Sequence, residues 1–328
     1  MALKSIRIEN FKSIGEIEIV NPQPFSVLVG ANAAGKSNIF AALQFLHHLQ
    51  SFNNASDLIS AFGGVDNLTH NKLNHSKSYY GLSYENYWQE FHLDYKDPYV
   101  KYGSGFTPSQ EVSPNAVKET SQFVTGFSRL FVRNDRIRVL PINDDTKLAP
   151  DASNLEKVLK RILNDNDIKD DFIETLQLFI PGLDKIEVVS SEFSSNLDLL
   201  VYEKALSRPL NKELISDGTY NIIAILTALY QSKTPQFLCI EEPENGLNPY
   251  VVKELVNICR DLCDQYGHYI WLNTHSPSLV SKLQPEDIIL VNKIDGLTRV
   301  KQFRKGSFYG LPMDEAWLTN VLGGGLPW

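Results

Sequence analysis

The run Gly30-Ala31-Asn32-Ala33-Ala34-Gly35-Lys36-Ser37 constrains this chain more than any other. It fits G-x-x-x-x-G-K-[ST], in which glycines let backbone N–H groups wrap a phosphate chain while the following helix N-terminus adds its positive end. Lys36 then neutralises the terminal phosphates, Ser37 offers its hydroxyl to Mg2+, and Gly30, Asn32, Ala33, Ala34, Gly35 and Asn38 complete the nucleotide-binding set. Context separates this reading from an ordinary glycine turn. Phe25 to Val29 is an apolar run leading into the loop, and from Lys36 to Gln50 the residues Ile39, Leu43, Leu46 and Leu49 fall at helical spacing. Strand, loop and helix in that order predict an α/β chain.

Three further groups follow in order. Phe237-Leu238-Cys239-Ile240 is an apolar strand that runs into Glu241-Glu242-Pro243-Glu244. Alternation along a strand sends adjacent carboxylates to different sides, which assigns Glu241 to the magnesium and Glu242 to orienting and deprotonating the attacking water. Leu214-Ile215-Ser216-Asp217-Gly218-Thr219 opens a helix; alone it is also what a plain N-cap looks like. It lies 26 residues before Glu242, room for one helix, a turn and the carboxylate strand. Asn273-Thr274-His275-Ser276 ends the next strand, with His275 placed 33 residues after Glu242. If the two strands are neighbours, His275 faces the same crevice and can hydrogen-bond the γ-phosphate or the water.

The remaining patterning fills in the architecture. Residues 3 to 9 and 16 to 20 read as strands, and 51 to 145 as short strands and loops. Ser153-x-x-Glu156 reads as a capping box before a helix carrying Leu155, Val158, Leu159, Ile162 and Leu163. A second amphipathic helix carries Phe172, Ile173, Leu176 and Phe179 and stops at Pro181-Gly182. Strands near 185 to 190 and 197 to 202 precede a helix from Asp217 to Tyr230, and helix 250 to 266 puts Cys259 on its apolar face, as core. Strands at 269 to 273 and 287 to 293 follow, with Asp295-Gly296 as a hairpin turn into 298 to 303.

Composition narrows the class. Hydrophobic residues at 43% and charged residues at 21% describe a folded chain. The first residues have no signal-peptide core, and no stretch reaches the ~18 uncharged apolar residues of a membrane span. Cys239, Cys259 and Cys263 are too few for a disulfide framework or a zinc site, so a cytoplasmic location is expected. A net charge of −8 disfavours general attraction to nucleic acid. Lys157, Lys160 and Arg161 share a helical face that reads as solvated rather than as a basic groove.

Asn10-Phe11-Lys12-Ser13, the phosphate loop, Ser216-Asp217-Gly218-Thr219, Glu241-Glu242-Pro243-Glu244-Asn245-Gly246-Leu247-Asn248-Pro249 and Thr274-His275-Ser276 together resemble the ABC-type ATPase heads of the RecF, OLD and SMC group. The short stand-alone members, often called AAA-type ATPases, are the most similar. The resemblance implies an α/β ABC-type P-loop ATPase head with a mixed or parallel central sheet, an N-terminal antiparallel β part and a small helical lobe. It implies a single head over 1–328: a phosphate-loop and β lobe at 1–145, a helical and signature lobe at 146–230, and a carboxylate, His-switch and C-terminal part at 231–328. The implied ligands are ATP and Mg2+. The implied assembly is a homodimer in which Ser216, Asp217 and Gly218 of one subunit cover the γ-phosphate held by the other, with Asn245 to Asn248 as the loop that speaks across the dimer. Where the family usually has His before the proline, this chain has Asn248, and the glutamine that many such heads use to sense magnesium has no assigned position.

Absences divide the group. No long heptad run separates the loop from the signature, unlike an SMC rod, and the 53 residues after His275 are too few for the Toprim nuclease domain of OLD proteins. The expectation is an ATP-hydrolysing switch that regulates a separate effector such as a nuclease, in the setting of anti-phage defence. A RecF-like clamp on DNA is the alternative, and a transporter ATPase subunit a third reading.

Overall fold

A hairpin of β1 (Leu3–Phe11) and β2 (Ile14–Val20) starts the chain, with Ile6, Ile8, Ile17 and Ile19 turned inward and charged residues between them facing out. The computed structural model describes residues 3–49, 54–70, 76–85, 87–106, 126–132, 145–190 and 197–323. Next come β3 (Phe25–Val29), α1 (Lys36–Leu49), α2 (Ala55–Ala61) and α3 (Val65–Leu68). The meander β4 (Lys77–Tyr84), β5 (Tyr87–Asp94), β6 (Tyr99–Phe106) leads to β7 (Phe127–Leu130). The helices α4 (Leu155–Leu163) and α5 (Asn166–Phe179) pack beside a two-stranded sheet, β8 (Leu183–Ser190) and β9 (Leu197–Glu203). Last are α6 (Asp217–Tyr230), β10 (Phe237–Glu241), α7 (Pro249–Tyr266), β11 (Tyr269–Thr274), α8 (Pro277–Val280), β12 (Ile288–Ile294), β13 (Leu297–Gln302) and α9 (Met313–Leu318).

Eleven strands form one sheet in the order β6-β5-β4-β1-β2-β13-β12-β3-β11-β10-β7. The stretch β12-β3-β11-β10-β7 is parallel and β6-β5-β4-β1-β2 is antiparallel, joined by the pair Thr298 to Ile14 between β13 and β2. This mixed sheet with helices on both faces is the expected α/β class. The central parallel strands β3 and β10 are buried on both faces, which explains why they read as continuous apolar runs. Alternation then feeds two cores. Val27, Leu238, Ile240 and Leu272 pack with α6 and α7, while Leu28, Phe237, Cys239 and Trp271 pack with α1.

Register brings the chemistry together. β10 pairs with β11 so that Glu241 lies opposite Asn273, and β11 pairs with β3 so that Thr274 lies opposite Val29. The carboxylates, the histidine and the phosphate loop therefore leave the carboxyl ends of three adjacent strands, the place where parallel sheets open a crevice.

Several expectations change. Of the stretch 51 to 145, read as short strands and loops, the described residues form two short helices and then β4, β5 and β6 of eight residues each before β7, while 107–125 and 133–144 lie outside the described residues. The capping box does not form. Asn154 is the N-cap of α4 and gives no capping bond, because its side chain accepts from Ala149 N–H at 2.7 Å and donates to Lys147 O at 2.9 Å; Glu156 instead takes Lys212 at 2.9 Å. The second helix is present and starts at Asn166, where Asp165 caps it. Arg161 donates to the carbonyls of Asp145 and Gln231, so it ties helix to loop, and with Lys157 and Lys160 it lines an open pocket whose other charged residues are Asp145, Asp165 and Asp167. The Asp295-Gly296 turn is present, with both residues at positive φ, and all three cysteines are buried, which raises their thiol pKa values. No helix among the described residues is long and apolar enough to cross a membrane.

Candidate nucleotide site

The loop after β3 is held from behind. A Cβ on Gly30 would stand 2.1 Å from the Val291 carbonyl oxygen of β12, so only glycine fits there. Ala33 (φ 62°) and Gly35 (φ 107°) adopt the left-handed turns that curl the backbone, and Asn32, Ala33 and Ser37 are left exposed. Lys36 folds under the loop, where its Nζ donates to Gly30 O at 2.8 Å and Ala31 O at 3.0 Å. Burial lowers the Lys36 pKa, opposed by Glu242, Glu244 and Glu241 in that order. Lys12 is lowered in the same way, by burial first and by Arg129 second, with Glu241 opposing. Asn38, expected at the nucleotide, donates its side-chain amide to Ser13 Oγ at 2.7 Å.

Glu241 ends β10 fully buried, with every acceptor position engaged. Ser37 Oγ donates to its Oε2 at 2.5 Å and Asn273 Nδ2 to the same oxygen at 3.1 Å. Arg129, from β7, donates to Oε1 through Nε at 2.6 Å and also through Nη2. The same guanidinium reaches Gln44 of α1 at 3.0 Å through Nη1. Sequence reasoning missed Arg129. Its only signal is a charged residue inside the short strand Phe127-Ser128-Arg129-Leu130, and its partner is 112 residues away.

Glu242 departs from Glu241 for two reasons: strand alternation and its own φ of 47°, a left-handed conformation costly for a residue with a Cβ. Its N–H is held by Asn273 through O at 3.1 Å and Oδ1 at 3.0 Å, and its Oε2 accepts from Asn245 Nδ2 at 3.0 Å. Glu244 Oε1 accepts from Thr274 Oγ1 at 2.7 Å and from His275 N–H at 3.1 Å, which fixes the turn that carries the histidine. His275 Nδ1 then stands 3.8 Å from Glu242 and 3.9 Å from Glu244. Glu244 is a further residue whose part in the site only the tertiary structure reveals.

Ser216 is the N-cap of α6, its Oγ accepting from Thr219 N–H at 3.0 Å, so the plain-cap reading of this motif holds within one chain. Ser216 and Asp217 are exposed beyond it. Gly218 has no room for a side chain, since a Cβ would lie 2.2 Å from Gly246 O. From the next turn of α6, Asn221 donates to Asn245 O at 2.7 Å and Pro243 O at 3.3 Å. The structure thus brings the loop residues, Ser37, Glu241, Glu242 and His275 to one place, and links the helix that the signature opens to Glu242 through Asn221 and Asn245.

A mixed sheet with a phosphate loop, two divergent carboxylates and a histidine at its parallel strand ends has the fold of an ABC-type P-loop head. The chain belongs to the family described as "AAA domain, putative AbiEii toxin, Type IV TA system", which matches residues 25–281. Solved structures of similar fold include an SMC head bound to the C-winged helix domain of ScpA, at TM-score 0.60 and 18% identity over 92% of this chain and 98% of that one. The Smc head domain with an extended coiled coil bound to the C-terminal domain of ScpA, derived from Pyrococcus furiosus, gives TM-score 0.58 and 16% identity over 98% of each chain. The SMC head domain from Thermotoga maritima gives 0.51 and 15% over 93% and 100%. At such identities the likeness is one of fold. The energy-coupling factor transporter ATP-binding protein EcfA1 of Methanospirillum hungatei is 41% identical over 69 residues, 21% of this chain and 24% of that protein, so the match spans about a quarter of its length.

Proposed function

We propose that this protein binds ATP with Mg2+ on the loop from Gly30 to Asn38, hydrolyses it to ADP and phosphate, and uses the cycle to open and close a homodimer that controls a partner effector. The observation that carries the reading is the 2.5 Å bond from Ser37 to Glu241, which locks the phosphate loop to the carboxylate strand and leaves Glu242 beside it.

The residues fit the cation. Ser37 has committed its only proton to Glu241, so what its oxygen still offers is lone pairs, the donor a hard cation takes. Glu241, saturated by four donors, would act on the metal through Ser37 rather than by direct ligation. Bound there, magnesium would supply charge neutralisation along the phosphates. Lys36 would exchange its bonds to the loop carbonyls for phosphate oxygens, which is favourable for a desolvated ammonium. Glu242, held by Asn273 and Asn245 but half open to solvent, would orient a water and take its proton. His275, exposed and fixed through its backbone by Glu244, would hydrogen-bond that water or the γ-phosphate.

The dimer reading rests on the exposed N-terminus of α6, where Ser216, Asp217 and Gly218 can meet a second copy's γ-phosphate while Asn221 and Asn245 link that surface to Glu242. The family description, with its type IV toxin–antitoxin system, supports a defence setting. The test is turnover and binding in two variants. Lys36→Ala should lose nucleotide affinity, and Glu242→Gln should keep it while turnover falls about 10²–10⁴-fold. A Glu242→Gln protein that hydrolyses ATP at the wild-type rate would remove Glu242 from its role.

A further inference from the structure

Thr298 lies on β13, 264 residues from the phosphate loop, fully buried, and its Oγ1 donates to Ala34 O at 3.0 Å. The same oxygen is 2.7 Å from Ser13 Oγ, which in turn receives Asn38 Nδ2 at 2.7 Å. The direction of this chain is fixed by chemistry. An amide nitrogen only donates and a carbonyl only accepts, so Asn38 gives to Ser13, Ser13 gives to Thr298, and Thr298 gives to Ala34. Backbone pairing of Thr298 N–H with Ser13 O at 2.8 Å locks the two hydroxyls side by side.

The relay ends on the peptide that joins Ala34 to Gly35, at the tightest turn of the loop. Gly35 sits at φ 107°, and a Cβ there would stand 2.0 Å from Thr298 Oγ1 and 2.9 Å from Ser13 Oγ. A trans peptide points its carbonyl and its N–H in opposite directions. Holding Ala34 C=O against Thr298 therefore turns the Gly35 N–H to the other side of the loop.

Resting on the phosphate-loop reading above, we propose that Thr298 is a positioning residue for the nucleotide. It sets the plane of the Ala34–Gly35 peptide so that the Gly35 N–H is presented to a phosphate before the ligand arrives. Because β13 joins the antiparallel and parallel parts of the sheet through Thr298 and Ile14, the device also makes the N-terminal hairpin part of the phosphate seat.

The experiment measures ADP affinity by calorimetry on the full chain for wild type, Thr298→Val, Thr298→Ser and Lys36→Ala. Valine keeps the shape and removes the donor, and the dissociation constant should rise about tenfold, with serine restoring it to within about twofold. In turnover, KM for ATP should rise with little change in kcat, a split that mere loosening of the fold does not produce. Valine binding ADP like wild type while Lys36→Ala has lost it would overturn the inference alone. If Lys36→Ala also binds like wild type, the phosphate-loop reading falls and takes the inference with it. Should Thr298→Val not fold, Ser13→Ala, which breaks the relay one bond earlier, should weaken ADP binding about threefold or more, and unchanged affinity would overturn the proposal.

Discussion

Arg129 places two N–H donors on one oxygen of Glu241, while Ser37 and Asn273 take the other, so this carboxylate is buried, charged and completely satisfied. Such a pair matters most when one half is removed. Arg129→Met leaves an uncompensated charge in the core and should cost about 3–5 kcal/mol in urea unfolding. Adding Glu241→Gln should recover part of that loss, because a neutral amide needs no counter-charge. A single Arg129→Met variant as stable as wild type would show that the pair is not felt in solution.

The bond from Asn245 to Glu242 makes a second prediction. Asn245→Ala frees the carboxylate to swing, and kcat should fall about tenfold or more while ATP affinity holds, since Asn245 bonds no residue of the phosphate loop among the described contacts. A rise in KM with unchanged kcat would place Asn245 in binding instead.

How much of this was legible follows from locality. The phosphate loop is contiguous, and Glu241, Glu242 and His275 sit at the ends of apolar strands, so their places at the carboxyl edge of the sheet could be read from short windows. The helices α6 and α7 likewise carry their own signals in apolar spacing and caps. The capping box failed because the helix begins one residue later than Ser153, with Asn154 as N-cap and its amide taken by the loop at Ala149 and Lys147, while Glu156 pairs with the distant Lys212. Arg129 and Thr298 were silent because each acts on a partner more than 100 residues away, across strands whose order no short window contains.

Gly218 tests the contact between signature and catalytic loop. A methyl there would come 2.2 Å from Gly246 O, so the backbone of one must move. Gly218→Ala should cost about 1–3 kcal/mol by overpacking and lower ATP turnover by displacing Asn245. Normal turnover with normal stability would mean that the two segments part freely.

His268, fully buried between α7 and β11, makes a prediction about pH. Burial pushes its pKa from the ordinary 6.5 to about 4, and His48 is held to about 4 by burial and by His47 and Lys147. Between those values the unfolded chain takes up protons that the native chain refuses. Stability is therefore fully present above pH 6.5 and lost as pH falls toward 4. His268→Leu should reduce that slope by up to about 1.4 kcal/mol per pH unit, read from urea melts at a series of pH values. An unchanged slope would mean that His268 titrates normally in the native state.

The central claim is that ATP closes one head on another. Its most direct test is the mass of Glu242→Gln by light scattering with and without ATP and magnesium, since this variant should bind and not turn over. The account predicts one chain mass without nucleotide and two with it, and a return to one chain mass when Ser216→Arg blocks the signature surface. A mass that ATP leaves unchanged would contradict the switch.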